Sequence, residues 1–157
     1  MNGYADVLDP ARLFHIGIVV TDLSDAMVTV GNDLGLTWSE PMVAGELMEE
    51  SSGGLGELKF NFAYSREASG HVRTELVESI PGTIWESSPS PMHHLGYWSD
   101  DVDAEGRHLQ ERGFTMTARP SPKPGAERQF AYYRGRSGLY VELVSSTVRT
   151  ALEETWR

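Results

Sequence analysis

The chain has 157 residues, 39% of them hydrophobic, enough for one domain with a buried core. A net charge of −10 argues against nucleic acid or an anionic membrane surface as the partner. No residue is cysteine, which excludes disulfides, thiolate nucleophiles and cysteine-ligated zinc. No apolar run approaches the roughly 20 residues that span a bilayer, and the first residues, MNGYADVLDPARL, lack a basic-then-apolar signal pattern. The expectation is a single domain over 1–157, cytoplasmic, with a small-molecule partner.

Residues 1–12 read as a polar leader, with Asp9-Pro10 as a turn signal. FHIGIVV (14–20) is rich in β-branched residues and reads as a strand, with His15, Gly17 and Val19 on one face. Asp22 offers N-cap chemistry for a helix through Met27, Val30 and Leu34, stopped by Gly35. A second strand begins over 36–43. Residues 44–56 carry Glu46, Glu49, Glu50 and four glycines and read as a mobile surface loop. Leu58, Phe60, Phe62 and Tyr64 alternate with polar or small residues as a half-buried strand. VRTELV (72–77) is another strand, with Arg73, Glu75 and Val77 on one face. Residues 80–92, rich in proline and serine, have the composition of a linker between halves.

The second half repeats this order. A strand at 94–98 precedes a helix at 101–112, ended by Gly113, and a strand at 114–117. After a Pro-rich loop (120–127) come strands at 130–134 and 139–144. Residues 146–156 read as an amphipathic helix with Val148, Ala151, Leu152 and Trp156 on one face.

His15 matches His94, Gly17 matches Gly96 and Asp22 matches Asp101, all at an offset of 79. TELVES (74–79) matches VELVSS (141–146) when Glu75 is set on Glu142. The repeat implies a duplicated βαβββ module, at about 13–79 and 93–145. The fold class expected is α+β, two paired modules forming a curved sheet with helices outside and a central cleft.

Each module contributes one histidine on its first strand and one glutamate on its last. Each sits opposite an apolar face, so it must point into water or a polar cavity. A lone strand histidine is more often structural than a ligand. Here two imidazoles and two carboxylates in symmetric positions favour a divalent first-row metal site: His15, Glu75, His94 and Glu142. Nickel, cobalt, manganese, zinc and iron all suit such donors.

FHIGIVVTDL, HHLGYWSDDVDA, TELVES and YVELVSS resemble the vicinal oxygen chelate superfamily, which includes glyoxalase I, methylmalonyl-CoA epimerase, bleomycin-resistance proteins and extradiol dioxygenases. The similarity runs from Phe14 to Ser145 and is greatest to the glyoxalase and epimerase branch. It implies metal ligation by residues at the positions of His15, Glu75, His94 and Glu142, and often a homodimer. It also implies a lyase or isomerase that moves a proton next to a carbonyl or thioester through a metal-stabilised enolate. Glu142 is the first candidate base, and Glu57 matches the strand where epimerases carry a second one. Lys59 and Asn61 share the face of Glu57, so a surface or cavity-lining ion pair explains it equally well.

Two other readings compete: a non-catalytic binding or resistance protein, which usually lacks the full His/Glu set, and an iron-dependent ring-cleaving dioxygenase, in which a fourth protein ligand at Glu75 would crowd the oxygen site. Alternation sends His93 to the face opposite His94, and solvated roles are expected for His71 and His108. Arg73 either binds an anionic substrate group or pairs with an acid. Trp98 and Tyr140 either wall the pocket or belong to the core. Lys123, Arg128 and Arg134 read first as a solvated basic loop and second as a phosphate site for a CoA-type substrate.

Overall fold

The computed structural model describes residues 7–51 and 53–157. Of the polar leader, residues 1–6 lie outside the described residues; Asp9 caps a short 3-10 helix over Pro10–Arg12, accepting from the Ala11 amide. Strand β1 (Leu13–Val20) leads into helix α1 (Leu23–Leu34), then β2 (Met42–Glu50), β3 (Gly53–Tyr64) and β4 (Arg73–Glu78). The same order follows in β5 (Met92–Ser99), α2 (Val102–Glu111), β6 (Thr115–Pro120), β7 (Phe130–Arg134) and β8 (Tyr140–Ser145). A 3-10 turn and helix α3 (Arg149–Thr155) come last.

Local chemistry sets the helix ends. Asp22 and Asp101 each accept a hydrogen bond from the backbone amide three residues on, at 2.8 and 2.9 Å, which satisfies an orphan donor of the first turn. Gly35 closes α1 at φ 68°, a left-handed conformation that costs glycine little. α1 packs Leu23 and Ala26 on Ala63 and Leu76, and α2 packs Val102 and Leu109 against Tyr133, Val141 and Leu143. Both helices therefore cover the outside of the sheet.

The sheet is not the open curved wall with a cleft that the repeat suggests. Its eight strands close into a barrel in the order β1-β4-β3-β2-β6-β7-β8-β5. Two seams join the halves. At one, β1 and β5 run antiparallel from Leu13↔Tyr97 to Ile18↔Met92. The other is short, Met48↔Pro120 and Glu49↔Arg119 between β2 and β6, and the Arg119–Glu49 ion pair at 2.8 Å spans it.

That second seam forms within the stretch expected to be a surface loop. Residues 42–50 are strand, paired with β3 from Met42↔Phe62 to Glu50↔Gly53. The alternation is present but its polarity is inverted: Glu46 is half-buried, Val43 and Leu47 are exposed, and Met48 is fully buried. The linker composition of 80–92 also misleads in part. No helix or named strand forms over 79–91, yet Trp85 is fully buried and packs edge-on against Phe60 and Tyr132 inside the barrel.

The interior has two apolar ends. Val19, Met48, Phe60, Val77, Trp85 and Tyr132 fill one. Phe14, Tyr64, Trp98 and Val144 fill the other, where Trp156 and the α3 residue Leu152 cover them. β1 is irregular between Leu13 and His15, so Phe14 and His15 are both buried rather than split between faces. Phe14 stacks on Trp98 with centroids 3.7 Å apart, which assigns Trp98 to the core.

Candidate metal centre

Register builds the site. Across the β1–β5 seam His15 pairs with Gly96 and Gly17 pairs with His94. The parallel ladders add Glu75 beside Gly17 and Glu142 beside Gly96. Each glycine thus lies between the glutamate of its own half and the histidine of the other. The missing side chain is what admits the ring: a Cβ on Gly17 would fall 2.0 Å from His94 Cε1, and one on Gly96 would fall 1.9 Å from His15 Cε1.

The four side chains meet between the two apolar ends. His15 Nε2 lies 3.0 Å from His94 Nε2 and 3.0 Å from Glu142 Oε2, and His94 Nε2 lies 3.2 Å from the same oxygen. Glu75 stands 3.6 Å from both imidazoles. One ligand atom from each residue falls within 4.8 Å of all the others, and all four residues are buried. An ion about 2.1 Å from each donor in octahedral geometry sets neighbouring donors about 3 Å apart, so the donor types and their spacing fit a divalent first-row metal.

The electrostatics follow from burial. Burial alone would raise the Glu142 carboxyl; hydrogen bonds from His15 and His94 more than offset it and hold it at about 2. For Glu75 burial wins, assisted by the charge of Glu142, and its carboxyl is raised despite His15 and His94. Burial would lower His15, but the charge of Glu75 and the bond to Glu142 raise it. Tyr64 and Tyr132 are pushed well above 10, first by burial and then by the two glutamates, so both stay neutral phenols beside the cluster.

His93 has a role that alternation alone did not reveal. Its Nε2 lies 2.6 Å from the Ile84 carbonyl and its Nδ1 lies 2.9 Å from His94 Nδ1. A carbonyl can only accept, so Nε2 of His93 carries the proton. Burial, then the neighbouring His94, lowers His93 to about 4, so the ring is neutral and its Nδ1 holds a lone pair. That lone pair accepts from His94 Nδ1–H, so with an ion bound the His94 Nε2 would be the nitrogen that turns its lone pair to the cluster. The double histidine at the head of β5 was the visible signal. Nδ1 of His15 is buried and finds no such acceptor among the described residues.

The remaining candidates lie elsewhere. Glu57 is exposed on the outer face of β3 with Lys59, while Phe60 and Phe62 point inward, so the fold does not bring it to the cluster. Arg73 donates to the Ser65 and Arg66 carbonyls and sits 4.7 Å over the Trp156 ring. Tyr140 stacks on His93 at 5.0 Å. His71 is exposed near the Pro10 carbonyl and His108 is half-buried beside Glu111 on α2. Arg134 lies over the Tyr140 ring.

Glu75 and Glu142 open onto a cavity of about 340 Å³, walled by residues of β2, β3, β7 and α3. No helix among the described residues is long and apolar enough to cross a membrane.

Similar solved structures share this architecture. A methylmalonyl-CoA epimerase from Mycobacterium tuberculosis superposes with a TM-score of 0.61 at 18% identity, over 89% of this chain and 91% of that one. A methylmalonyl-CoA epimerase of Streptomyces coelicolor, in complex with 2-nitronate-propionyl-CoA, gives 0.58 at 18% identity over 86% and 96%. A hypothetical protein from Bacillus halodurans C-125 gives 0.52 at 21% over 86% and 94%. At these identities the likeness is one of fold. No curated protein matches the sequence significantly. A family model, that of the glyoxalase/bleomycin resistance protein/dioxygenase superfamily, matches residues 14–133. With most of its length matched, and with its strands in the same arrangement as those solved structures, this chain belongs to that superfamily.

Proposed function

We propose that the chain is a metal-dependent lyase or isomerase that moves a proton on the carbon next to a carbonyl or thioester group. The observation that carries this reading is the buried His15, Glu75, His94, Glu142 cluster at the floor of an apolar cavity. A bound divalent ion supplies Lewis-acid polarisation of a substrate oxygen and stabilises the charge that develops on it.

The residues of the chain do the rest. His15, Glu75, His94 and Glu142 would hold the ion. Glu142 also faces the cavity, which makes it the candidate to take the proton from the substrate carbon and return it. The phenols of Tyr64 and Tyr132 are neutral hydroxyls at the same level. The apolar walls exclude water, which strengthens each electrostatic contact at the floor. Cytoplasmic homodimers are the expected state, and the exposed Val43 and Leu47 on the outer face of β2 support an interface.

Metal analysis of protein purified without chelator, joined to exchange of the substrate α-proton in D2O, tests the reading. Glu142→Gln is expected to lower exchange by about 10²–10⁴-fold while retaining part of the metal, and His15→Ala and His94→Ala are expected to lose the ion. Full exchange in Glu142→Gln would overturn it. The size and apolarity of the cavity favour a second reading, a non-catalytic binding protein of the same fold. Ligand affinity unchanged by chelation, with no exchange under any metal, would establish that reading instead.

A further inference from the structure

On the proton-transfer reading above, we propose that the cavity takes an uncharged aromatic carbonyl compound, and not a CoA thioester or another anionic acyl group.

The walls are the first reason. Met42, Phe60, Phe62, Phe130, Val144 and Leu152 surround about 340 Å³, space for a compact ring system rather than a long polar arm. The aromatic walls suit a flat apolar guest. Charge is the second. The charged residues lining the cavity are Glu46, Glu75 and Glu142, and among the described residues no lysine or arginine joins them. A carboxylate brought among three glutamates loses its hydration and gains repulsion, with the ion at the floor as its one compensation. A neutral carbonyl compound incurs neither penalty and still offers an oxygen to the floor.

The cations near the mouth are the third reason. A polar pocket adjoins the cavity, sharing Glu46 and Gln129 with it, and contains Lys123 and Arg128, two of the three cations suited by sequence to a CoA phosphate; the third, Arg134, lies over the Tyr140 ring instead. Lys123 instead bonds Glu46 at 3.1 Å. Arg128 bonds Asp103 at 2.7 Å and the Pro120 carbonyl, and its side chain is only 8% exposed. Arg73 is spent on Ser65, Arg66 and Trp156. A phosphate at this mouth would have to displace Glu46 or Asp103 from an existing ion pair.

The test compares benzoin, a neutral two-ring hydroxyketone, with propionyl-CoA and methylmalonyl-CoA on the metal-loaded protein by calorimetry. Benzoin is expected to bind at least about tenfold more tightly than either thioester. Glu46→Gln, which removes one wall charge and frees Lys123, is expected to tighten the thioesters several-fold and to leave benzoin within about twofold. Leu152→Arg is expected to weaken benzoin and strengthen the thioesters. A thioester that equals or exceeds benzoin on the wild-type protein overturns the substrate class, as does failure of benzoin to bind. Proton exchange is scored separately. Thioester exchange without benzoin binding ends the substrate class and leaves proton transfer standing; benzoin binding without exchange under any metal does the reverse.

Discussion

Replacing Gly17 by alanine places a carbon 2.0 Å from His94 Cε1 and 2.4 Å from each ring nitrogen. Gly17 has no positive φ, so the backbone accepts alanine and the whole effect falls on the ring. Carbon atoms rest about 3.5 Å apart or more, which means His94 must retreat by about 1.5 Å. Metal–ligand distances tolerate about 0.2 Å, so the imidazole leaves the coordination sphere. Gly96→Ala does the same to His15, where the approach is 1.9 Å. Each variant is expected to lose at least about 100-fold in metal affinity, the upper end of what second-shell changes cost, because a ligand itself is displaced. Overpacking is expected to lower the stability of the metal-free protein by about 1–3 kcal/mol. Competition against a chromogenic chelator measures the first effect, and denaturant unfolding after chelation measures the second. Gly45→Ala is the control, since its new carbon meets nothing closer than Glu57 Oε1 at 3.9 Å. In a His94→Ala background the obstructing ring is gone, so Gly17→Ala should cost almost no stability there. A folded Gly17→Ala protein with wild-type metal affinity would refute the crossed arrangement of glycine and histidine.

His93→Leu removes the acceptor for His94 Nδ1–H and is expected to lower metal affinity by about 10–100-fold, while His93→Asn, which keeps an acceptor oxygen, recovers most of it in the same chelator titration. Metal affinity should rise with pH above 6.5, because His15 is raised and must shed its proton before it can ligate; a pH-independent affinity would contradict this. In the metal-free protein the raised His15 stabilises the fold fully below 6.5 and ceases to do so as pH rises through its folded value, whereas the lowered Glu142 contributes above 4.5 and is lost toward about 2, so unfolding curves across pH should show both limbs. Met48→Ala empties a fully buried position at the shorter seam and is expected to cost about 2–5 kcal/mol in denaturant unfolding, a loss that no surface loop would show.

The legible parts of the sequence were those where polarity and period agree. His15, Glu75, His94 and Glu142 stand out because each interrupts an apolar strand, and Asp22 and Asp101 stand out as caps before apolar periodic runs. The β2 strand was illegible for the converse reason. Its inward positions include Glu46 and its outward ones include Val43 and Leu47, so an ordinary alternation reads as a charged loop. With β2 cut short, nothing in the pattern could supply the Met48↔Pro120 pairing, and an open sheet followed. His93 was missed because alternation describes where a side chain leaves the backbone and not what its ring reaches: here the Ile84 carbonyl in the connection before β5. For Glu57 the two readings were separable by alternation, which sets it with Lys59 and opposite Phe60 and Phe62, and the structure places it on that exposed face.

The H-x-G pattern at the head of each half acquires its meaning at the β1–β5 seam. Neither half can form the cluster alone, because Gly17 makes room for a histidine of the second half and Gly96 for one of the first. Two of the donors belong to residues 13–78 and two to residues 92–145, so an ion bound to all four bridges the halves directly. Binding energy at the floor is therefore also closure energy for the barrel, and it grows with ion concentration as RT ln(1 + [L]/Kd), about 2.7 kcal/mol at one hundred times Kd. The short β2–β6 seam, with two residue pairs and the ion pairs of Glu46 and Glu49 across it, can then remain modest, because the longer seam carries both the ladder and the donors. A duplicated module that placed histidine and glycine in one half alone would close the same barrel without this coupling.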